Sequence, residues 1–233
     1  MKTPRSCIPC ERIEIDSYDW YKRHDAKLKE VSEKQADIIF IGDSITHFWK
    51  GEDEHPGYGN DIWQEYYGDR NVINLGYGYD RTQNMLWRIQ NGELENQSPK
   101  LIVVNAGTNQ FSITPNYDGD TPEIAFAGVR LLLKTLREYC PQARIIVMSV
   151  FPRMSQNQIQ EKIDALNKLV KEYLAENSKN DPEMFYLDIT AKMRNPDGSF
   201  NPEIYCDGVC HPNSAGYRIW AEALEPEIRK LSL

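Results

Sequence analysis

Cysteine is scarce. The 233-residue chain has five, an odd number, which argues against a disulfide-dense scaffold. Cys7-x-x-Cys10 and Cys206-x-x-x-Cys210 have spacings within reach of a tetrahedral zinc site. The first pair lies in an irregular stretch and the second brackets other chemistry, so the expectation is no metal and free thiols, with one local disulfide as the alternative. Long apolar runs are also missing: none approaches the roughly 20 residues of a bilayer span. Positive charge is short, with 27 Lys and Arg against 35 Asp and Glu, a net charge of −8 and no basic stripe. Bulk attraction to nucleic acid or to an anionic membrane is therefore disfavoured. There is no repeat, low-complexity tract or Pro/Gly/Ser linker. Residues 1–10 carry early cations but lack the apolar core of a secretory leader. The compartment stays open: cytoplasmic if the protein begins here, exported if a leader preceded it.

What is present is 40% hydrophobic and 27% charged, the composition of an ordinary globular chain large enough to bury a core. Residues 1–15 read as an extended arm. Asp16 or Ser17 can cap a helix to about residue 35, with Trp20, His24, Leu28 and Val31 on its apolar face. His24 there reads as a packed residue and His55, in a polar loop, as a solvated one. Residues 1–35 are expected to pack on one domain over 36–233.

The organising stretch is 37–49. Ile38 to Ile41 is a continuous apolar run, the pattern of a strand buried on both faces. Gly42 breaks it, and Ile45, Phe48 and Trp49 follow at helical spacing. Similar runs over 72–75, 101–105, 144–150 and 184–187 alternate with helical patterns near 62–67, 82–90, 122–139, 156–178 and 214–231. Residues 111–121 read as a polar loop. Five such alternations predict a mostly parallel five-stranded sheet with helices on both faces and right-handed crossovers. Gly76-x-Gly78 after the second strand lacks the third glycine of a dinucleotide fingerprint, where Arg81 stands instead. No cofactor is expected.

Four pieces follow strands at the carboxyl edge of that sheet, where α/β folds place their sites. Ser44 is a hydroxyl nucleophile in need of a base, unless it is only a helix cap. His211 can be that base, and Asp207 can orient it. An oxyanion could be met by the Ser44 N–H, a backbone N–H of the 76–80 turn and the Asn109 amide.

Gly42-Asp43-Ser44-Ile45, Gly107-Thr108-Asn109 and Asp207…His211-Pro212 resemble the blocks of the SGNH (GDSL-type) serine hydrolases. The segments 74–83 and 86–94 are similar to those of the platelet-activating factor acetylhydrolase group within it. Phe151-Pro-Arg and Gly216-Tyr fit as well, so the resemblance covers about 37–230. It implies a three-layer αβα, flavodoxin-like fold. It also implies hydrolysis of short acyl esters, with Ser44 as nucleophile, His211 as base and Asn109 as oxyanion donor. The partner implied is a small acylated sugar or lipid. Carbohydrate is favoured over an anionic lipid interface, and the oligomeric state is open, a homodimer included. A lysophospholipase or acyltransferase role and a catalytically silent binding module are the alternatives. Two departures stand out. The oxyanion glycine of the family falls on Tyr79 here, with Gly78 one position earlier. The family's Asp-x-x-His becomes Asp207-x-x-x-His211.

Overall fold

The computed structural model describes residues 2–52, 57–154 and 158–233. Five parallel strands form the sheet: β1 (Ile38–Gly42), β2 (Val72–Gly76), β3 (Leu101–Asn105), β4 (Arg144–Met148) and β5 (Met184–Leu187). Their spatial order is 2-1-3-4-5, every neighbouring pair parallel. The order reverses direction between β1 and β3, which makes that crevice the topological switch point of the sheet.

The alternation of side chains along each strand separates two cores. Ile39, Ile41, Ile73, Leu75, Ile102, Val104, Ile145 and Val147 face one way. They pack on α1 (Trp20–Glu33), α4 (Thr82–Arg88), α5 (Pro122–Tyr139) and α6 (Ile159–Asn177). Ile38, Phe40, Leu101, Val103, Ile146 and Met148 face the other way, against α3 (Asn60–Tyr67) and α7 (Ser214–Lys230). This is the three-layer αβα sandwich the strand–helix alternation calls for. The second core is aromatic: Phe40 meets Trp49, Trp63, Tyr67 and Trp220 at ring-centroid distances of 5.2–6.1 Å. Truncating such a ring to Ala costs about 3–5 kcal/mol.

Several element ends differ from the sequence expectation. The first helix begins at Trp20, capped by Asp19, whose carboxylate accepts from the Tyr21 and Lys22 N–H groups. Asp16 and Ser17 do not cap it. The arm before it is not simply extended. A 3₁₀ turn, Arg5–Cys7, buries Ser6 against α5, where its Oγ donates to the Ile124 carbonyl at 2.5 Å. The loop over 111–121 contains a two-stranded hairpin, Ile113–Thr114 with Tyr117–Asp118, and Phe111 beside it is buried. His55 and the expected helix start at 156 lie outside the described residues. All five cysteines are free thiols. No described helix is long and apolar enough to cross a membrane.

Candidate active site

Ser44 opens a one-turn helix, α2 (Ser44–His47), directly after β1. The cap is Asp43, not Ser44: its Oδ1 accepts from the Ile45 N–H at 3.0 Å. The Ser44 hydroxyl is thereby left for other work. Gly42 makes the tight turn feasible, because a Cβ there would lie 2.1 Å from the Thr46 hydroxyl and 2.7 Å from the Asn105 carbonyl.

Ser44 Oγ lies 2.8 Å from His211 Nε2, across 167 residues of sequence. His211 Nδ1 lies 2.6 Å from Asp207 Oδ2. The extra residue between Asp207 and His211 is absorbed by Gly208, whose φ of +64° is a conformation that side chains disfavour. The loop is tied down from within. Asp207 Oδ1 accepts from the N–H groups of Val209 at 2.8 Å, Cys210 at 2.9 Å and His211 at 3.2 Å. Asp188 and Asp197, the other two acids near the end of the sheet that could have oriented the imidazole, accept instead from the Thr190 and Ser199 N–H groups. Ser44, His211 and Asp207 thus form a chain of hydroxyl, imidazole and carboxylate at hydrogen-bond distance. Such a chain can move a proton from Ser44 Oγ onto Nε2 while the carboxylate stabilises the resulting cation.

Burial works to lower the His211 pKa. The bond from Asp207, the neighbouring Cys210 thiol and the Asp207 charge outweigh it and raise the value above that of ordinary histidine. Burial would raise Asp207, but the His211 bond and the backbone N–H groups hold it well below the usual carboxylate range. Asp43 is different. Burial, opposed by the Ile45 N–H and the His211 charge, pushes it up to about 7. Its second oxygen, Oδ2, has no partner among the described residues.

Three donors were expected for an oxyanion. Asn109 ends the β3 segment in a 3₁₀ turn (Thr108–Phe111). Its Nδ2 donates one hydrogen to the Asp80 carbonyl at 3.1 Å, which leaves the second hydrogen of the amide. Arg81 Nε donates to the Asn109 carbonyl at 3.0 Å and fixes the turn from behind. The 76–80 turn separates the two candidate N–H groups. The Gly78 N–H points at His47 Nδ1, 3.2 Å away, and is not available. The Tyr79 N–H has no acceptor among the described residues, and neither has the Ser44 N–H. Tyr79 adopts φ of +60°. The backbone of this turn therefore keeps a left-handed conformation that glycine adopts freely, at a strain of order 1–3 kcal/mol.

A cavity of about 230 Å³ opens on these groups, lined by Ser44, Asn109 and His211 together with Asp16, Ser17, Phe48, Tyr58, Tyr79, Ser112, Arg153 and Cys210. It is small beside the 300–1,000 Å³ of pockets for drug-sized ligands. Phe48 and Tyr58 flank the imidazole at centroid distances of 5.6 and 5.9 Å.

A model of the GDSL-like lipase/acylhydrolase family matches residues 40–219. The chain belongs to that family. Platelet-activating factor acetylhydrolase IB subunit alpha1 of Homo sapiens is 30% identical over 213 residues, which span 91% of this chain and 84% of the relative. Subunit alpha2 of Gallus gallus is 30% identical over 198 residues, 84% of this chain and 78% of the relative. Among solved structures, a GDSL-like lipase from Bacteroides thetaiotaomicron is 21% identical with a TM-score of 0.65, covering 91% and 98% of the two chains. An acetylxylan esterase from Geobacillus stearothermophilus is 19% identical with a TM-score of 0.63, covering 84% and 94%. At those identities the structural likeness is one of fold. The GDSL family and its acetylhydrolase relatives make this chain an ester hydrolase.

Several residues at this GDSL site escaped the sequence reading. Asp16 and Ser17 line the cavity instead of capping a helix, and Tyr58 and Ser112 reach it from loops. Arg153 carried a signal only in Phe151-Pro-Arg. His47, three residues after Ser44, is wholly buried, with Tyr18 edge-on at 4.5 Å. Nothing in the sequence pattern distinguishes it from a core residue.

Proposed function

We propose that this GDSL hydrolase is a serine esterase that removes short acyl groups, acetyl foremost, from an alcohol through an acyl-enzyme. The observation that carries the reading is the unbroken chain Ser44 Oγ, His211 Nε2, His211 Nδ1, Asp207 Oδ2, with contacts of 2.8 and 2.6 Å. His211 takes the Ser44 proton as Oγ attacks the ester carbonyl. The tetrahedral oxyanion is received by the Ser44 and Tyr79 N–H groups and the spare Asn109 hydrogen. The ester C–O bond then breaks, and the alcohol leaves with the proton from Nε2. Water, deprotonated by the same nitrogen, attacks the acyl-enzyme and releases the acid and Ser44.

The short acyl group is supported by the small cavity and by Tyr79 at its rim. It is also supported by names: the 30% relatives and the xylan esterase neighbour all act on acetyl groups by name. For the alcohol, the polar lining of Asp16, Ser17, Ser112 and Arg153 favours carbohydrate. A lipid ester is the second reading. It is favoured by the adjoining cavity, whose rim includes the exposed apolar residues Ile113, Met154 and Val209. A silent binding module has no use for the intact set of Ser44, Asn109 and His211.

The test is hydrolysis of p-nitrophenyl acetate with fluorophosphonate labelling, in wild type and Ser44→Ala. Activity and labelling both vanish in the variant, which keeps the wild-type circular dichroism spectrum. Labelling that persists in Ser44→Ala overturns the assignment. Acetylated xylo-oligosaccharides set against an acetylated glycerophospholipid separate the two alcohols by kcat/KM.

A further inference from the structure

We propose that Asp207, Cys210 and His211 form a binding site for a thiophilic divalent cation of the zinc class, and that occupancy silences the esterase. The hydroxyl, imidazole and carboxylate already supply the reacting groups, and the Cys210 thiol, which only touches the imidazole, is not one of them. Yet Asp207 Oδ2, Cys210 Sγ and His211 Nδ1 all lie within 4.8 Å of one another. Sγ is 3.7 Å from Nδ1 and 3.8 Å from Oδ2.

Those spacings are the edges of a metal polyhedron. Tetrahedral zinc with bonds of about 2.3 Å to sulfur and about 2.0–2.2 Å to nitrogen and oxygen has ligand–ligand edges of roughly 3.4–3.6 Å. Two of the three edges are present to within a few tenths of an ångström. The third, Nδ1 to Oδ2 at 2.6 Å, is a hydrogen bond. It widens by roughly 0.8 Å to the tetrahedral edge when a metal replaces the proton.

The three ligands need little ordering. They sit at i, i+3 and i+4 on one turn, closed by three backbone N–H groups on Asp207 Oδ1 and by Cys206 N–H on the His211 carbonyl at 2.9 Å. Oδ1 is thus engaged by the backbone, and Oδ2, which faces only His211 Nδ1 and the Cys210 thiol, is the ligand atom. Asp207 and His211 are partly solvent-exposed, with side-chain accessibilities of 31% and 22%, which leaves a fourth position to water. Thiolate with imidazole and carboxylate suits zinc and its soft neighbours rather than magnesium or calcium.

Binding expels the Nδ1 proton and the Cys210 thiol proton, and metal–nitrogen and metal–sulfur bonds take their place. Nε2 stays beside Ser44 Oγ, but a ring already bonded to a cation is a far weaker base for the serine proton. The binding itself does not depend on the proposed catalytic roles; the silencing does.

The test reads the two separately. Cobalt(II) titrated into Ser44→Ala, which needs no turnover, develops a near-ultraviolet thiolate-to-metal band at one equivalent, and zinc bleaches it. Cys210→Ala on that background loses the band, while Cys206→Ala keeps it. In wild type, zinc at the same concentrations stops p-nitrophenyl acetate hydrolysis and EDTA restores it. The inhibitory zinc concentration rises at least tenfold in Cys210→Ala, each protein normalised to its own metal-free rate. No thiolate band, or one that survives Cys210→Ala, overturns the site. A band without inhibition overturns the silencing and counts against His211 as the base.

Discussion

Asp207→Asn isolates the tautomer of His211. In the native loop Asp207 Oδ1 accepts three backbone N–H groups and Oδ2 faces Nδ1. An amide at this position has one acceptor and one donor end. The three N–H groups claim the acceptor. Turning the amide round would give up three hydrogen bonds at roughly 1 kcal/mol each to regain one. The amide NH₂ is therefore fixed toward Nδ1, which must become an acceptor. The ring proton moves to Nε2 and points at Ser44 Oγ, where a base is needed. Loss of the correct tautomer lowers kcat by up to about 10⁴, equivalent to about 5.5 kcal/mol of transition-state stabilisation. The anchored loop keeps its three backbone bonds, so the variant folds, with a melting temperature lowered by the loss of the carboxylate's charge beside His211. The assay is kcat for p-nitrophenyl acetate beside thermal denaturation, in buffer containing a chelator. A variant that folds normally and retains kcat within about tenfold of wild type would refute the role of Asp207.

Three further outcomes are expected. Asn109→Ala lowers kcat by roughly 10²–10³ with a smaller change in KM; a loss confined to KM would mean that the amide binds the ground state. Tyr79→Gly keeps the N–H donor but removes the ring from the rim, so kcat/KM for octanoyl esters rises toward that for acetyl. Its melting temperature does not fall, because relieved strain of order 1–3 kcal/mol at least offsets the added unfolded-state freedom of about 0.4–1 kcal/mol. Asp43 has a folded pKa raised to about 7 by burial, so its neutral form supports the fold at low pH and that support fades as pH rises. An ordinary unfolded value near 4 gives a loss on the order of 4 kcal/mol between about pH 4 and pH 7. The advantage of Asp43→Asn over wild type in urea unfolding is expected to be about 2–3 kcal/mol larger at pH 8 than at pH 5; an equal gap at both pH values would refute the account.

How much of this was legible in the sequence follows from where each signal is stored. The strands were legible because a strand buried on both faces must be largely apolar: 38–41 and 101–104 are so throughout, and in 72–75 the run is broken only by Asn74, whose buried amide donates to the Thr46 carbonyl. Ser44 and Asn109 stand out in the sequence because an apolar strand gives way to polar residues just before each, whereas His211 lies well past β5 and stands out only in the Asp207…His211-Pro212 pattern. The cap of α1 was not. Asp16, Ser17 and Asp19 are equivalent local signals, and tertiary contact decides among them: Asp16 sits against Gly78, where a Cβ would lie 1.9 Å from its Oδ2. The choice between the Gly78 and Tyr79 N–H groups was equally hidden. It rests on His47, which accepts the first and leaves the second.

The residues behind the site explain why a chain of this family buries so much charge. Arg88, wholly buried, donates to Asp80 at 2.8 Å, to Glu93 and to the Leu75 carbonyl at 3.2 Å. Glu93 also meets His24 at 3.1 Å and the Tyr77 hydroxyl. Trp20 Nε1 donates to Asp80 at 2.8 Å, and Arg23 Nε donates to the Gly76 carbonyl at 2.9 Å. Buried ions of this kind add little net stability over a well-packed apolar core, because desolvation offsets their attraction. Their effect here is positional. They grip β2 and the turn after it, whose Asp80 carbonyl holds the Asn109 amide. Donors aimed at a developing charge act strongly only when they need not reorganise. Replacing Arg88 by Met would therefore act at a distance. It would leave Asp80 and Glu93 buried without the guanidinium they share, destabilise the fold by about 3–5 kcal/mol, and loosen the Asn109 amide without touching any group that contacts substrate.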